Sequence, residues 1–206
     1  MTEKNLVTQQ LRRRSVDVDP DQRMLLAELR SGSTTGFDRA YDAYRPRIYS
    51  FLLRMVASSA LAEDLLQDVF IKLATKARVL REDTNLKAWL FTVARNAVIS
   101  HMRWRAAESR NLEALRTGEL GNALTPQHAA EFAQTHALLE TALASLAPKY
   151  REVLLLVAVE GLSPSEAAQV IGIKSEALRQ RLSRARQQVS EILLAEQTIA
   201  QRSNTK

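Results

Sequence analysis

Arg179, Gln180, Ser183 and Arg184 lie in one short span near the C-terminus, with Ser175 and Glu176 just ahead of them. Arginine and glutamine can each present a two-pronged hydrogen-bonding edge to guanine or adenine in the DNA major groove. Serine reads less selectively, and a glutamate can accept from a cytosine amine. Lys174, Arg181 and Arg186 fall in the same span and suit phosphate contact or a structural role. The chemistry this set can perform is the reading of a nucleic-acid duplex.

A helix must carry these side chains. Leu178, Leu182, Ala185, Val189 and Ile192 recur at helical spacing and line one side, while Glu176, Gln180, Ser183, Arg184 and Gln187 centre on the other. Ser175 is the expected N-cap of this helix. Immediately upstream, Ser163, Pro164 and Glu166 form a capping-box sequence with proline at the first helical position. Ala167, Val170 and Ile171 give that short helix its buried side, and Gly172 supplies the turn. A capped helix, a glycine turn and a basic helix are the layout of a helix-turn-helix, whose second helix enters the major groove.

Catalysis finds no comparable support. His101, His128 and His136 show no ligand spacing with carboxylates, and neither a Gly-rich phosphate loop nor a nucleophile motif is present. No metal or cofactor is expected. The chain of 206 residues holds no cysteine, which excludes disulfides and thiolate metal sites and suits a reducing cytosol. It has no apolar run of membrane-spanning length and no signal-peptide core, so a soluble, cytoplasmic protein is expected. A net charge of +6 favours an anionic partner. Residues 36–105 carry 12 basic against 7 acidic side chains, residues 106–135 two against four, and residues 136–206 nine against seven. Two basic blocks flanking a slightly acidic one suggest two modules and a linker.

The remaining periodicity is helical throughout. A polar arm with Arg12-Arg13-Arg14 covers residues 1–18, and Asp19-Pro20 opens a helix through about Arg30. Phe37, Ala40, Tyr41 and Tyr44 continue at helical spacing until Pro46, where a break or restart is expected before Ile48, Phe51, Leu52, Met55 and Val56. Ser58 or Ser59 can cap a helix from Leu61 to about Val79. Its apolar stripe (Leu61, Leu65, Leu66, Val69, Phe70, Leu73, with Ile71 at the margin) opposes Glu63, Asp64, Gln67, Asp68 and Lys72. Acid in a first turn is favoured by the helix dipole, which would explain Glu63 and Asp64 without any partner. An acidic docking face is the functional alternative. After the polar connection Leu80–Asn85, a long helix runs from Leu86 to about Arg105. Leu86, Trp89, Leu90, Val93, Ala97, His101 and Trp104 are expected on its buried side, with Arg95, Asn96, Ile99, Ser100 and Arg103 outside. Residues 107–130 read as linker, with a weak helix over 112–120. Further helical patterns follow from Leu138 and from Tyr150, the latter ending at Gly161. The chain reads all-α.

Three separated blocks resemble the extracytoplasmic-function sigma factors, two-domain bacterial transcription initiators. They are Ala62–Phe70, Asn85–Asn96, and Leu146–Arg186 with its Tyr150-Arg151-Glu152-Val153-Leu154 and Leu182-Ser183-Arg184-Ala185-Arg186. With Phe37–Val56 they cover about two thirds of the chain in the family's order. The resemblance implies a region 2 domain over 19–106, a flexible linker over 107–133, a region 4 helix-turn-helix domain over 134–195 and a tail over 196–206. It implies that Glu63, Asp64, Gln67 and Asp68 dock on the clamp of RNA polymerase core, with region 4 meeting the β flap. It places Leu80, Arg81, Asn96, Ile99, Ser100 and Arg103 on the −10 element, the Leu80–Asn85 loop receiving a flipped base. It places Ser175, Glu176, Arg179, Gln180, Ser183 and Arg184 on the −35 element. An anti-sigma factor is the expected controlling partner. The chain departs from the family pattern at Ala57-Ser58-Ser59-Ala60-Leu61, where members commonly carry more acid, and at Ala177-Leu178, where Thr-Val is frequent. The competing function is a helix-turn-helix regulator that does not act as a polymerase subunit.

Overall fold

The computed structural model describes residues 20–112 and 132–203. The Arg12-Arg13-Arg14 arm, Asp19, the stretch expected to hold a weak helix after Leu112, and His128 lie outside the described residues. Eight α-helices are described: α1 (Pro20–Ser31), α2 (Thr34–Val56), α3 (Ser59–Lys76), α4 (Leu86–Leu112), α5 (Phe132–Ser145), α6 (Pro148–Leu154), α7 (Pro164–Ile171) and α8 (Ser175–Ser203). A 3₁₀ turn at Ala77–Val79 follows α3, and a π-helical turn at Leu155–Val159 extends α6. No strand occurs among the described residues. Helix α4 runs past the boundary expected near 106, and α8 continues into the stretch expected to be a tail.

The first four helices form one bundle. Ser33 caps α2, its hydroxyl accepting from the Gly36 N–H at 3.1 Å. Gly36 is where α1 and α2 touch: a Cβ there would stand 2.6 Å from Glu28 Cβ, so only glycine permits this approach. Pro46 does not break α2, contrary to the sequence expectation. Proline removes one N–H and crowds the carbonyl four residues back. Pro46, Asp42 and Ala43 are all exposed, so that carbonyl can turn to water. Meanwhile buried Tyr44, Ile48, Phe51 and Leu52 hold both halves of the helix to the core. Phe51 meets Phe91 of α4 edge-on, with centroids 5.4 Å apart, and both rings are fully buried.

Helix α4 is rotated from its expected orientation. Its buried side chains are Leu86, Ala88, Leu90, Phe91, Val93, Ala94 and Val98. Trp89, Ala97, Ile99 and His101 are half-buried, whereas Trp104 is 60% exposed. The wheel favours the largest side chains, but the buried face also takes in Ala88 and Ala94. From Met102 to Glu108 every residue is exposed, so α4 has left the bundle by Trp104.

In the C-terminal half, Arg151 joins three helices. Its Nε donates to the Leu143 carbonyl at 2.8 Å and its Nη2 to the Leu146 carbonyl at 3.1 Å and to that of Ala144. Its Nη1 donates to the Arg54 carbonyl at 3.0 Å. These oxygens sit at the C-terminal ends of α5 and α2, where helix carbonyls lack intrahelical partners and cations are favoured. Arg151→Lys keeps the charge but loses the planar fork. It should cost about 2 kcal/mol in chemical denaturation, with Arg151→Ala costing more; equal stability of both variants and wild type would refute the capping role. The dense apolar run after it is accommodated by the widened turn, in which the Glu160 N–H donates to the Leu155 carbonyl at 2.8 Å.

Candidate nucleic-acid interface

The helix-turn-helix is built as its sequence dictates. The Glu166 N–H donates to Ser163 Oγ at 3.2 Å and the Ser163 N–H to Glu166 Oε2 at 2.7 Å, so both arms of the capping box are made. Pro164 occupies the first turn. Gly172 takes φ +74°, the left-handed turn between α7 and α8 that an L side chain would resist. Buried Leu178, Leu182 and Ala185 pin α8, and Leu178 is fully enclosed. One detail differs from expectation. The Leu178 N–H donates to the Lys174 carbonyl at 3.1 Å, so Lys174 holds the cap position and Ser175 is the first helical residue.

All of Ser175, Glu176, Arg179, Gln180, Ser183 and Arg184 are exposed. No ion pair among the described residues engages Arg179 or Arg184, so neither guanidinium is committed within the fold. This surface can offer bidentate donors to a major groove without rearrangement.

Helix α4 carries a second polar surface. Asn96, Ser100 and Arg103 are exposed along its outer side, and Ile99 is half-buried rather than exposed as its place on the wheel suggested. Asn96, Ser100 and Trp104 follow one another at intervals of one helical turn, so the exposed indole continues their row. The helical wheel puts Trp104 on the side of Leu86, Leu90 and Val93 and so predicts burial, but α4 has left the bundle by that point. Ahead of this row, Leu80 is half-buried, and exposed Arg81 holds Asp83 through bonds of 2.9 and 3.0 Å. That bond keeps the Asp83 carboxyl below its ordinary range. Asn85 closes the loop and caps α4, its Oδ1 accepting from the Ala88 N–H at 3.0 Å.

Helix α3 carries the third surface. Ser58 is its N-cap, accepting from the Leu61 N–H at 3.4 Å. Glu63, Asp64, Gln67 and Asp68 are exposed opposite buried Leu65, Leu66, Val69 and Phe70. The helix starts at Ser59 and has no acid in its first turn, so Glu63 and Asp64 lie beyond it and the dipole does not account for them. Ile71, exposed, and Tyr41 flank this face across a shallow cleft that also takes in Phe37, Phe70 and Arg45.

Two carboxylates are buried elsewhere. Glu152 and Glu160 are raised above the ordinary carboxyl range by burial, against the opposing pull of Arg95 and Arg47 respectively. Lys87, near Arg47 and Glu160, is pushed below the ordinary lysine range, first by burial and then by Arg47. Among the described residues no cluster of His, Asp or Glu could hold a metal, and no helix is long and apolar enough to cross a membrane.

Both halves of the chain match known proteins. Residues 40–108 match sigma-70 region 2 and residues 136–189 match sigma-70 region 4. The RNA polymerase sigma factor CarQ of Myxococcus xanthus is 33% identical over 171 residues, covering 82% of this chain and 95% of its own length. The ECF RNA polymerase sigma factor SigM of Bacillus subtilis is 33% identical, covering 74% of this chain and 91% of its own. The fold is similar to that of the sigma factor RpoE of Bartonella quintana, solved with the anti-sigma factor NepR. The TM-score is 0.64 at 28% identity, over 76% of this chain and 96% of that one. A capped helix-turn-helix behind an α-helical bundle, matched over most of its length by such relatives, makes this chain a member of the extracytoplasmic-function RNA polymerase sigma factors.

Proposed function

We propose that the chain divides promoter initiation among its three exposed surfaces, with region 2 spanning roughly 19–106 and region 4 roughly 134–195. The acidic face of α3 (Glu63, Asp64, Gln67, Asp68) docks on the clamp of RNA polymerase core. Asn96, Ile99, Ser100 and Arg103, with Leu80 and Arg81 of the preceding loop, take the −10 element as it opens. Ser175, Glu176, Arg179, Gln180, Ser183 and Arg184 read the −35 element as duplex, and region 4 meets the β flap. The observation that carries this reading is that all six recognition-helix candidates are free to solvent on a helix pinned by buried leucines. An anti-sigma factor controls the chain, a reading supported by the relative solved with one. Work on promoters with cytoplasmic polymerase places the protein in the cytoplasm.

Run-off transcription with purified core polymerase on a promoter library tests the reading and defines both elements. Loss of one bidentate contact is worth about 1–3 kcal/mol, so Arg179→Ala should lower transcript yield about tenfold or more. The loss should be relieved on templates altered at a single −35 base pair. Absence of transcripts from every template, with duplex binding retained, would favour a regulator that is not a polymerase subunit.

Trp104 extends the −10 row as a stacking platform for an unpaired base or a sugar. Trp104→Ala should weaken binding of a −10 single strand by about 1–3 kcal/mol, and Trp104→Phe should retain most of it. A titration in which the alanine variant binds like wild type would remove Trp104 from the site.

A further inference from the structure

Helix α1 ends ahead of residue 40, where the match to sigma-70 region 2 begins, yet it grips the Leu80–Asn85 loop from both sides. At the entry, α1 packs on the 3₁₀ turn Ala77–Val79 that leads into Leu80. Arg30 Nη1 reaches across to Glu82 Oε1 at 2.8 Å. Just past the helix end, Gly32 takes φ +79° and lies under the Arg78 guanidinium, where a Cβ would stand 2.6 Å from Arg78 Nη2. At the exit, Gln22 Nε2 donates to the Tyr44 hydroxyl at 3.3 Å and to Asn85 Oδ1 at 3.5 Å. That same Asn85 oxygen accepts from the Ala88 N–H, so Gln22 adjoins the cap that starts α4. Gln22 and Arg30 are eight residues apart, about 12 Å along the helix axis.

Between these anchors the loop has little to hold it. Its backbone is tied by the Leu80 N–H, which donates to the Ala77 carbonyl at 3.2 Å, and by the Thr84 N–H, which donates to the Arg81 carbonyl at 3.1 Å. Its last residue, Asn85, opens the ladder of α4 by accepting from the Trp89 N–H at 2.9 Å. Arg81, Glu82 and Asp83 are exposed, and Arg81 turns back on Asp83 within the loop. A pocket for an unstacked base depends on loop shape, and every residue left free spreads that shape over many conformers.

Stability alone does not explain Arg30. Its Nε is buried with no hydrogen-bond partner among the described residues, and an unsatisfied buried donor destabilises. Its ion-pair partner Glu82 is 84% exposed, and such pairs add little to stability. An unbranched apolar side chain would pack as well without the stranded N–H. What arginine adds is reach: it fixes Glu82 and neutralises a carboxylate that would otherwise face the phosphates of a bound strand.

We propose that α1 is a specificity-determining element of the −10 site, in which Gln22, Arg30 and Gly32 hold the Leu80–Asn85 loop in the shape that selects one base. The three act through the loop and are positioning residues. The inference rests on the −10 assignment above.

Gln22→Ala with Arg30→Met removes both polar anchors and keeps the apolar stem of the arginine. In the free full-length chain, amide exchange at Thr84 should quicken about fivefold, the order expected for loss of a weak exposed pair. Arg30→Met alone should be at least as stable as wild type in urea. With core polymerase bound, affinity is measured for a labelled −10 single strand and for the same strand made abasic at the −10 position that run-off transcription shows to matter most. The ratio of the two cancels the phosphate attraction that both strands share. Wild type should prefer the intact strand, and the double variant should lose about fivefold of that preference. Arg30→Glu with Glu82→Arg, which rebuilds the pair in reverse, should regain more of it than Arg30→Glu alone. Unchanged exchange, an unchanged ratio, a reversed pair no better than Arg30→Glu, or a loss of preference that tracks a loss of stability would each overturn the role of α1. If exchange quickens as expected but wild type does not distinguish the two strands, the −10 assignment of the loop falls, and the selective role with it, while the bracing of the loop stands.

Discussion

Asp64→Lys together with Asp68→Lys should abolish run-off transcription and binding to core polymerase while leaving the fold intact. Both carboxylates stand on the outer side of α3, and no ion pair among the described residues engages either. Replacement of exposed, uncommitted side chains usually alters stability by no more than about 0.5 kcal/mol. Their position also removes the simplest alternative, since α3 begins at Ser59 and its first turn carries no acid. Four polar or acidic side chains on one exposed face suit a basic partner. Setting like charges against each other at an interface costs several kcal/mol, so two reversals should lower core affinity by at least about a hundredfold. Binding of a −35 duplex by the same variant should be unchanged, because α8 lies in the other half. Unimpaired association with core would move the docking face elsewhere, and the Phe37–Tyr41–Phe70 cleft beside it would be the next surface to test.

The elements most legible in the sequence are those whose signals are local. Ser163, Pro164 and Glu166 specify a helix start through bonds spanning three residues, and Gly172 specifies the following turn through its own backbone freedom. Both could be read because no distant residue enters. The acidic face of α3 was legible for a related reason: its stripe of Leu65, Leu66, Val69 and Phe70 is wide and unbroken. Legibility failed where tertiary contacts decide. The wheel of α4 predicts burial for Trp104 beside Leu90 and Val93, and only the tertiary structure shows that the bundle ends before it. Pro46 was expected to interrupt α2 because the local cost is visible and the compensating burial of Ile48, Phe51 and Leu52 is not. Arg151 could be quoted as part of a motif, but its role requires three carbonyls of one chain segment and a fourth from Arg54, 97 residues away. The pairs that close the two halves are of the same kind: Arg47 and Glu160 lie 113 positions apart, and nothing in either neighbourhood names the other.

Phe51→Ala should destabilise the N-terminal bundle by about 3–5 kcal/mol, the range for truncating a fully buried phenylalanine. Phe51 is fully enclosed, and its edge-on contact with Phe91 adds an aromatic pairing that no aliphatic residue replaces. Since domains of this size are held by only about 5–15 kcal/mol, the loss takes a large share of the total. Phe51→Leu keeps most of the volume and should cost distinctly less. Both tryptophans, Trp89 and Trp104, lie on α4, so tryptophan fluorescence during urea denaturation reports this bundle directly. The recognition helix packs mainly on α5, α6 and α7, within its own half. A −35 duplex should consequently still bind after the bundle has lost its structure, whereas −10 strand binding and transcription should disappear with the fluorescence transition. If duplex binding is instead lost in the same transition, the contacts between the halves are strong enough to make them one cooperative unit. That outcome would mean that apolar packing between the halves, and not only the pairs at Arg47, Arg54 and Arg95, ties them together.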